Sequence, residues 1–209
     1  MAFTKQRAAG PRPVGDQPRK RADKPAGPPP GEARLREAAV RHLSRYATTQ
    51  AGLERVLGNR MRRWARAAEA EGREVAEALA AGLAAVKTIA AAMVSAGTVN
   101  DADFAAVRAR RLARGGRSRR AMAAHLASKG IAAGDARAAM DDAPAEADAA
   151  IALCRKRRIG PFARGPCDPA LRLKWLGMMA RAGFSRGVAE AALDAEPEYA
   201  EARLIALRA

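Results

Sequence analysis

Arginine is the residue type that could do chemistry in this chain, and one short stretch concentrates it. Arg108, Arg110, Arg111, Arg114, Arg117, Arg119 and Arg120 follow one another with no Asp or Glu among them. A guanidinium stays charged at any working pH and presents a planar fork of donors suited to carboxylates and phosphates. The chemistry it offers is anion recognition. The cluster flanks a helix start at Ser118, where backbone N–H groups and the helix dipole also favour anions. Asp135, Asp141 and Asp142 stand close enough in sequence to neutralise it internally, which would make it structural. Clustering of like charge favours the binding reading. A second group, Arg155, Lys156, Arg157 and Arg158, ends a later helix.

Nothing comparable exists for catalysis. His42 and His125 are the only histidines, and neither stands at metal-ligand spacing to another ligand. Cys154 and Cys167 form no metal-binding pair and read as reduced thiols of an intracellular protein. No P-loop, nucleophile elbow or dinucleotide fingerprint is present. The acids cluster at 135–148 and 194–201, mostly alternating with alanine as solvated helix faces do. The sequence therefore predicts a protein that is not an enzyme and needs no cofactor.

The elements that position the arginines are helices. Alanine dominates the apolar residues, and aromatics make up 4% of the chain, a composition that favours helix over sheet. So few aromatics cannot both fill a core and build a stacking platform for single-stranded nucleic acid. A formal net charge of +16 predicts a polyanionic partner. No apolar run reads as long enough to span a bilayer, and the N-terminus lacks a signal-peptide pattern. Residues 1–31 hold seven of the twelve prolines and many basic residues, which predicts a disordered basic tail.

From Glu32 the spacing turns helical. Leu35, Ala39, Leu43 and Tyr46 mark one helix; Leu53, Val56, Leu57, Met61 and Trp64 mark a second, capped by Thr48 or Thr49. A third, alanine-rich helix runs from about Arg73 to Ala96 and is ended by Gly97. Asn100 or Asp101 then caps a helix holding Phe104, Val107 and Leu112. Ser118 caps the next, with Met122 and Leu126 inward, and a short helix follows from Asp135 to Met140.

An echo organises the rest. Gly130 to Met140, GIAAGDARAAM, matches Gly183 to Leu193, GFSRGVAEAAL, at a constant offset of 53 residues. Leu126 and Met122 have counterparts in Met179 and Trp175 at the same offset. The second copy opens with a helix from Ala145 to Arg158 and continues after Asp168-Pro169, an acidic cap with proline at the first helical position. The expected architecture is all-α: three tandem three-helix modules (32–97, 98–142 and 143–194) in an elongated array, with an acidic segment at 195–209.

Six stretches carry a resemblance. They are RYATTQAGL at Arg45 to Leu53, GTVNDADFA at Gly97 to Ala105, RGGRSRR at Arg114 to Arg120, LASKGI at Leu126 to Ile131, RKRRIGPF at Arg155 to Phe162 and RAGFS at Arg181 to Ser185. In this order the chain resembles the RecX family, regulators of the RecA recombinase. The resemblance implies tandem three-helix repeats that bind along the RecA–DNA filament. It further implies inhibition of ATP hydrolysis, strand exchange and co-protease activity, and so regulation of DNA repair, recombination and the SOS response. The expected partner is the RecA filament, with weak non-specific DNA binding, no membrane, a monomeric state and a cytoplasmic location. Contact is expected at Arg114, Arg117, Arg119, Arg120 and Lys129, then at Arg155, Lys156, Arg157 and Arg158. The alternative is a helix-turn-helix-like, non-enzymatic DNA-binding protein built on Ser118 to Met140. Its recognition helix would be short and flanked by Asp135, Asp141 and Asp142, which phosphate repels.

Overall fold

The computed structural model describes residues 25–207, so the basic tail expected at 1–31 falls mostly outside the described residues. Among those residues the chain is all-α, with ten α-helices and one 3₁₀ turn. α1 (Glu32–Leu43) buries Leu35 and Ala39. α2 (Gln50–Ala70) starts at Thr49, whose side chain accepts from Gly52 N, and buries Leu53, Leu57, Met61, Ala65 and Ala68. These five fall at helical spacing on one face. Val56, expected on that face, is exposed instead. α3 (Ala76–Ser95) returns antiparallel to α2 and sets Val86, Ile89 and Ala90 into the core formed with α1 and α2. By length and composition alone α3 would span a bilayer, contrary to the sequence expectation.

The next helices are α4 (Asp101–Arg114), α5 (Arg119–Ser128) and α6 (Ala133–Asp141). The core side of α4 consists of Ala105, Ala109 and Ala113, while Val107 is 61% exposed. Three alanines at four-residue intervals leave no bulk between helices, and α6 lies close against that face with Ala136 and Ala139. Then come α7 (Glu146–Arg157), the 3₁₀ turn Gly160–Phe162, α8 (Pro169–Arg181) and α9 (Arg186–Leu193). Asp148 to Cys154 are buried without interruption, so α7 is covered all round. The largest core cluster surrounds it, joining Ile151, Trp175, Met179, Phe184 and Leu193 to Ala113 and Met122 of the preceding helices.

The acidic end predicted at 195–209 contains a helix, α10 (Pro197–Ala206). It returns to α7: Ala200 enters the large core, and Arg203 clamps Asp148 through Nε–Oδ1 and Nη2–Oδ2 bonds of 2.7 Å each. Asp148 has 7% exposure, and a buried carboxylate needs such a partner.

Successive helix groups meet through one repeated joint. Thr49 Oγ1 donates to Lys129 O at 2.7 Å, and Gln50 N donates to Asp101 Oδ1 at 2.8 Å. Farther along, Ser118 Oγ donates to Ala182 O at 2.8 Å, and Arg119 N donates to Glu146 Oε1 at 3.0 Å. In each joint a capping hydroxyl and the following N–H reach the C-terminal cap of the next group's second helix and the first residue of its first helix. Gly130 and Gly183 follow those caps at φ 79° and 91°. A Cβ there would lie 2.3 Å from Ala51 Cβ and 2.6 Å from Ser118 Oγ respectively, so the joint needs glycine twice. Each hydrogen bond contributes about 1 kcal/mol. At the equivalent start of α8 stand Asp168 and Pro169. An ionised carboxylate has no proton to donate and proline has no N–H, so that helix start cannot make the same joint.

Candidate functional site

The basic stretch divides once folded. α4 ends in Arg111 and Arg114, the chain turns at Gly115–Gly116, and Ser118 caps α5 by accepting from Ala121 N. Gly116 sits against the backbone of Leu153 in α7. That contact brings the α4–α5 turn to α7, whose C-terminal turn carries Arg155, Lys156 and Arg157. Arg114, Arg155 and Lys156 line a single depression of about 150 Å³, with Ala152, Leu204 and Leu207 between them. Residues 41 positions apart in sequence thus form one cationic rim with an apolar floor. Arg155 is partly committed. Its Nη1 lies 3.1 Å from Glu201 Oε1, and its guanidinium lies over the Phe162 ring at 5.1 Å.

The other expected contact residues have different surroundings. Arg119 is half-exposed but engaged within the chain: its Nη2 donates to Met140 O and to Asp141 Oδ1, both at 2.7 Å, and its backbone N–H is taken by Glu146. The α5 start that the sequence offered as an anion site is thus already filled by this chain's own carboxylate. Asp141 is the internal partner the sequence left open, but for one arginine only. Arg117 and Lys129 face His125, and Arg120 lays its stem along Gly183. Arg158 closes α7 in the left-handed region at φ 56°, so its backbone serves the turn. Arg114, Arg117, Arg120, Lys156, Arg157 and Arg158 are in no ion pair among the described residues.

His125 has a role that sequence spacing could not indicate. Its Nε2 accepts from Arg108 Nε at 2.9 Å, which requires the neutral ring. Burial first, then the charges of Arg108, Lys129 and Arg117, push its pKa below 6.5. The folded chain therefore binds this proton less readily than the unfolded chain does. The stability this provides is present above pH 6.5 and is lost as pH falls through the window between 6.5 and the folded value. The urea midpoint should accordingly decline on acidification from about pH 7 to pH 5.5, and His125→Gln should flatten that decline. The thiols show no chemistry of this kind. Cys154 is buried and pushed up to about 12, while Cys167 is exposed and free. Among the described residues no group of His, Cys, Asp or Glu could hold a metal ion.

Two comparisons bear on this arrangement of basic turns. A family profile describing the second three-helix domain of RecX matches residues 100–140, which hold α4, α5, α6 and the arginine cluster between them. The "Regulatory protein RecX" of Myxococcus xanthus (strain DK1622) is 38% identical over 167 residues, covering 78% of this chain and 86% of that protein. The likeness extends far beyond the profiled helices, and at that identity and coverage the chain belongs to the RecX family of regulatory proteins.

Proposed function

We propose that this regulatory protein inhibits the RecA recombinase by docking on the RecA–DNA filament through its basic turns. ATP hydrolysis, strand exchange and co-protease activity are thereby reduced, and the protein acts in the cytoplasm as a monomer. The observation that carries the reading is the convergence of Arg114, Arg155 and Lys156 on one depression, where charge gathers with few internal acids to offset it. Such a rim suits carboxylates or phosphates presented at intervals along a filament. Arg117, Arg120, Lys129, Arg157 and Arg158 extend the contact. Arg119 supports it from inside, because its reversal would set Glu against Asp141 and Glu146.

The chain is read as three three-helix modules, 32–97, 98–142 and 143–194, of which the second and third each carry a basic turn at the end of the first helix. The repeated hydroxyl joint supports a fixed step between them. Bare DNA is a weaker, non-specific ligand on this reading. α6, the recognition helix of the helix-turn-helix alternative, packs against α4 and α5 and ends in Asp141 and Asp142. The test is RecA ATP hydrolysis on single-stranded DNA, titrated with the full chain. Saturable inhibition is expected, with little binding to the same DNA without RecA at about 0.15 M salt. Tight binding to bare DNA with RecA turnover unchanged would favour the alternative.

A further inference from the structure

A groove that shares no lining residue with the Arg114–Arg155 depression, and whose Arg111 end lies one turn of α4 from Arg114, has the lining of a peptide site. One wall is the end of α1 with the loop that follows it, Leu43 and Tyr46 to Thr48; the other is the outer face of α4. Phe104, Val107, Arg108 and Arg111 project into a space of about 590 Å³. The groove continues past Tyr46 into a second hollow of about 270 Å³ beside His42, Arg55, Val56 and Lys129. Its walls are fixed relative to each other by the joint, since Gln50 N and Asp101 Oδ1 tie the start of α2 to the start of α4.

Two features set it apart from ordinary surface. Of the eight large apolar side chains exposed among the described residues, Tyr46, Val56 and Val107 all border this one groove. Apolar groups gathered in a concave, polar-rimmed place mark a contact site. The rim is also cationic: Arg55, Arg111 and Lys129 are in no ion pair among the described residues, and Arg108 is bonded to neutral His125.

We propose that this groove binds an acidic peptide segment of a partner protein, one that carries a large apolar side chain between its carboxylates. The apolar side chain enters between Leu43, Phe104 and Val107. Carboxylates on one side of it meet Arg108 and Arg111, and those on the other meet Arg55 and Lys129. Asp103, an acid lining the groove, accepts from Asn100 Nδ2 at 2.7 Å. It can take a backbone N–H from a peptide, whereas a phosphodiester backbone has no such donor to offer. Tyr46 has the His42 ring tilted at 37° against it, with centroids 5.3 Å apart, which leaves at most one of its faces for a stacked base. The proposal does not require RecA as the partner. Lys129 is shared with the filament reading, so the test leaves it unchanged.

The test is fluorescence anisotropy with the full chain and a labelled dodecapeptide in which Leu-Phe is flanked by Glu and Asp. Binding should saturate in the micromolar range and be lost when Leu-Phe is replaced by Ser-Ser. Val107→Glu combined with Arg111→Glu should weaken it at least ~tenfold, about 1.4 kcal/mol. Both residues are exposed on α4, so circular dichroism should be unchanged. Val40→Glu with Arg60→Glu makes the same change of charge at exposed sites elsewhere and should retain binding. Equal loss in both variants, or no loss in a folded Val107→Glu/Arg111→Glu chain, would overturn the assignment. Displacement of the peptide by a twelve-nucleotide oligothymidylate with the same residue dependence would give the groove to nucleic acid and overturn it too.

Discussion

Replacing Gly116 with valine lowers the melting temperature by roughly 4–20 °C, because two costs fall on one residue. Gly116 has φ 76°, a conformation that costs a side-chain-bearing residue about 1–2 kcal/mol. A Cβ there would also lie 2.8 Å from Leu153 N and 3.0 Å from Leu153 Cα. Those atoms are backbone within a fully covered helix and cannot step aside. Overpacking of that kind adds about 1–3 kcal/mol, and in a chain this size each kcal/mol moves the midpoint by about 2–4 °C. Gly115→Ala is the control. Gly115 is exposed, has φ −82°, and would put a Cβ at ordinary distance, 3.4 Å, from the carbonyls of Arg111 and Leu112. Its midpoint should hardly move. Equal, small shifts for both variants would mean that the α4–α5 turn does not rest on α7, and the shared depression would lose its basis.

Arg203→Ala frees α10 and leaves Asp148 without its two 2.7 Å bonds. Asp148 lies within the covered run of α7, so water replaces the guanidinium poorly. Arg203 itself has 41% side-chain exposure, which screens part of the pair's interaction. The midpoint should fall by roughly 5 °C, with hydrogen exchange in Pro197–Ala206 accelerated ahead of the remaining helices. Asp148→Ala in the same chain should recover part of the loss by removing the stranded carboxylate. A double variant less stable than Arg203→Ala alone would show that Asp148 serves α7 by some other contact. The clamp also bears on function, since Leu204 and Leu207 of the α10 region floor the Arg114–Arg155 depression.

How much of this was legible in the sequence depended on the range of the chemistry. Helix starts at Thr49, Asn100, Ser118 and Asp168 were readable because a cap bonds an N–H within three residues. The 53-residue echo was readable because both copies solve the same packing problem with the same glycines. The buried face of α4 was not. Phe104, Val107 and Leu112 are the large apolar residues the sequence places on this helix, but its fully buried face is Ala105, Ala109 and Ala113, and alanine gives no sign of which side it takes. Val107 is outward and lines the groove together with Phe104, which is partly buried and also packs on the α4–α6 core. Pairings of charges were equally hidden. Arg119 with Asp141 and Arg203 with Asp148 join residues 22 and 55 positions apart, which only the packed helices bring together. Arginine content points to anion recognition as a class of chemistry, while the division between paired and unpaired arginines needed the fold.

The action proposed for the basic turns is on the RecA filament, and it includes Arg155 although that side chain also pairs with Glu201. It is tested most directly by RecA ATP hydrolysis on single-stranded DNA with Arg114→Glu, Arg155→Glu and Lys156→Glu combined in one chain. All three are exposed, and Arg119 is kept, so the helices should remain intact by circular dichroism. Inhibition should require at least ~tenfold more of the variant than of the unaltered chain, about 1.4 kcal/mol of lost contact. Undiminished inhibition by the folded variant would contradict it.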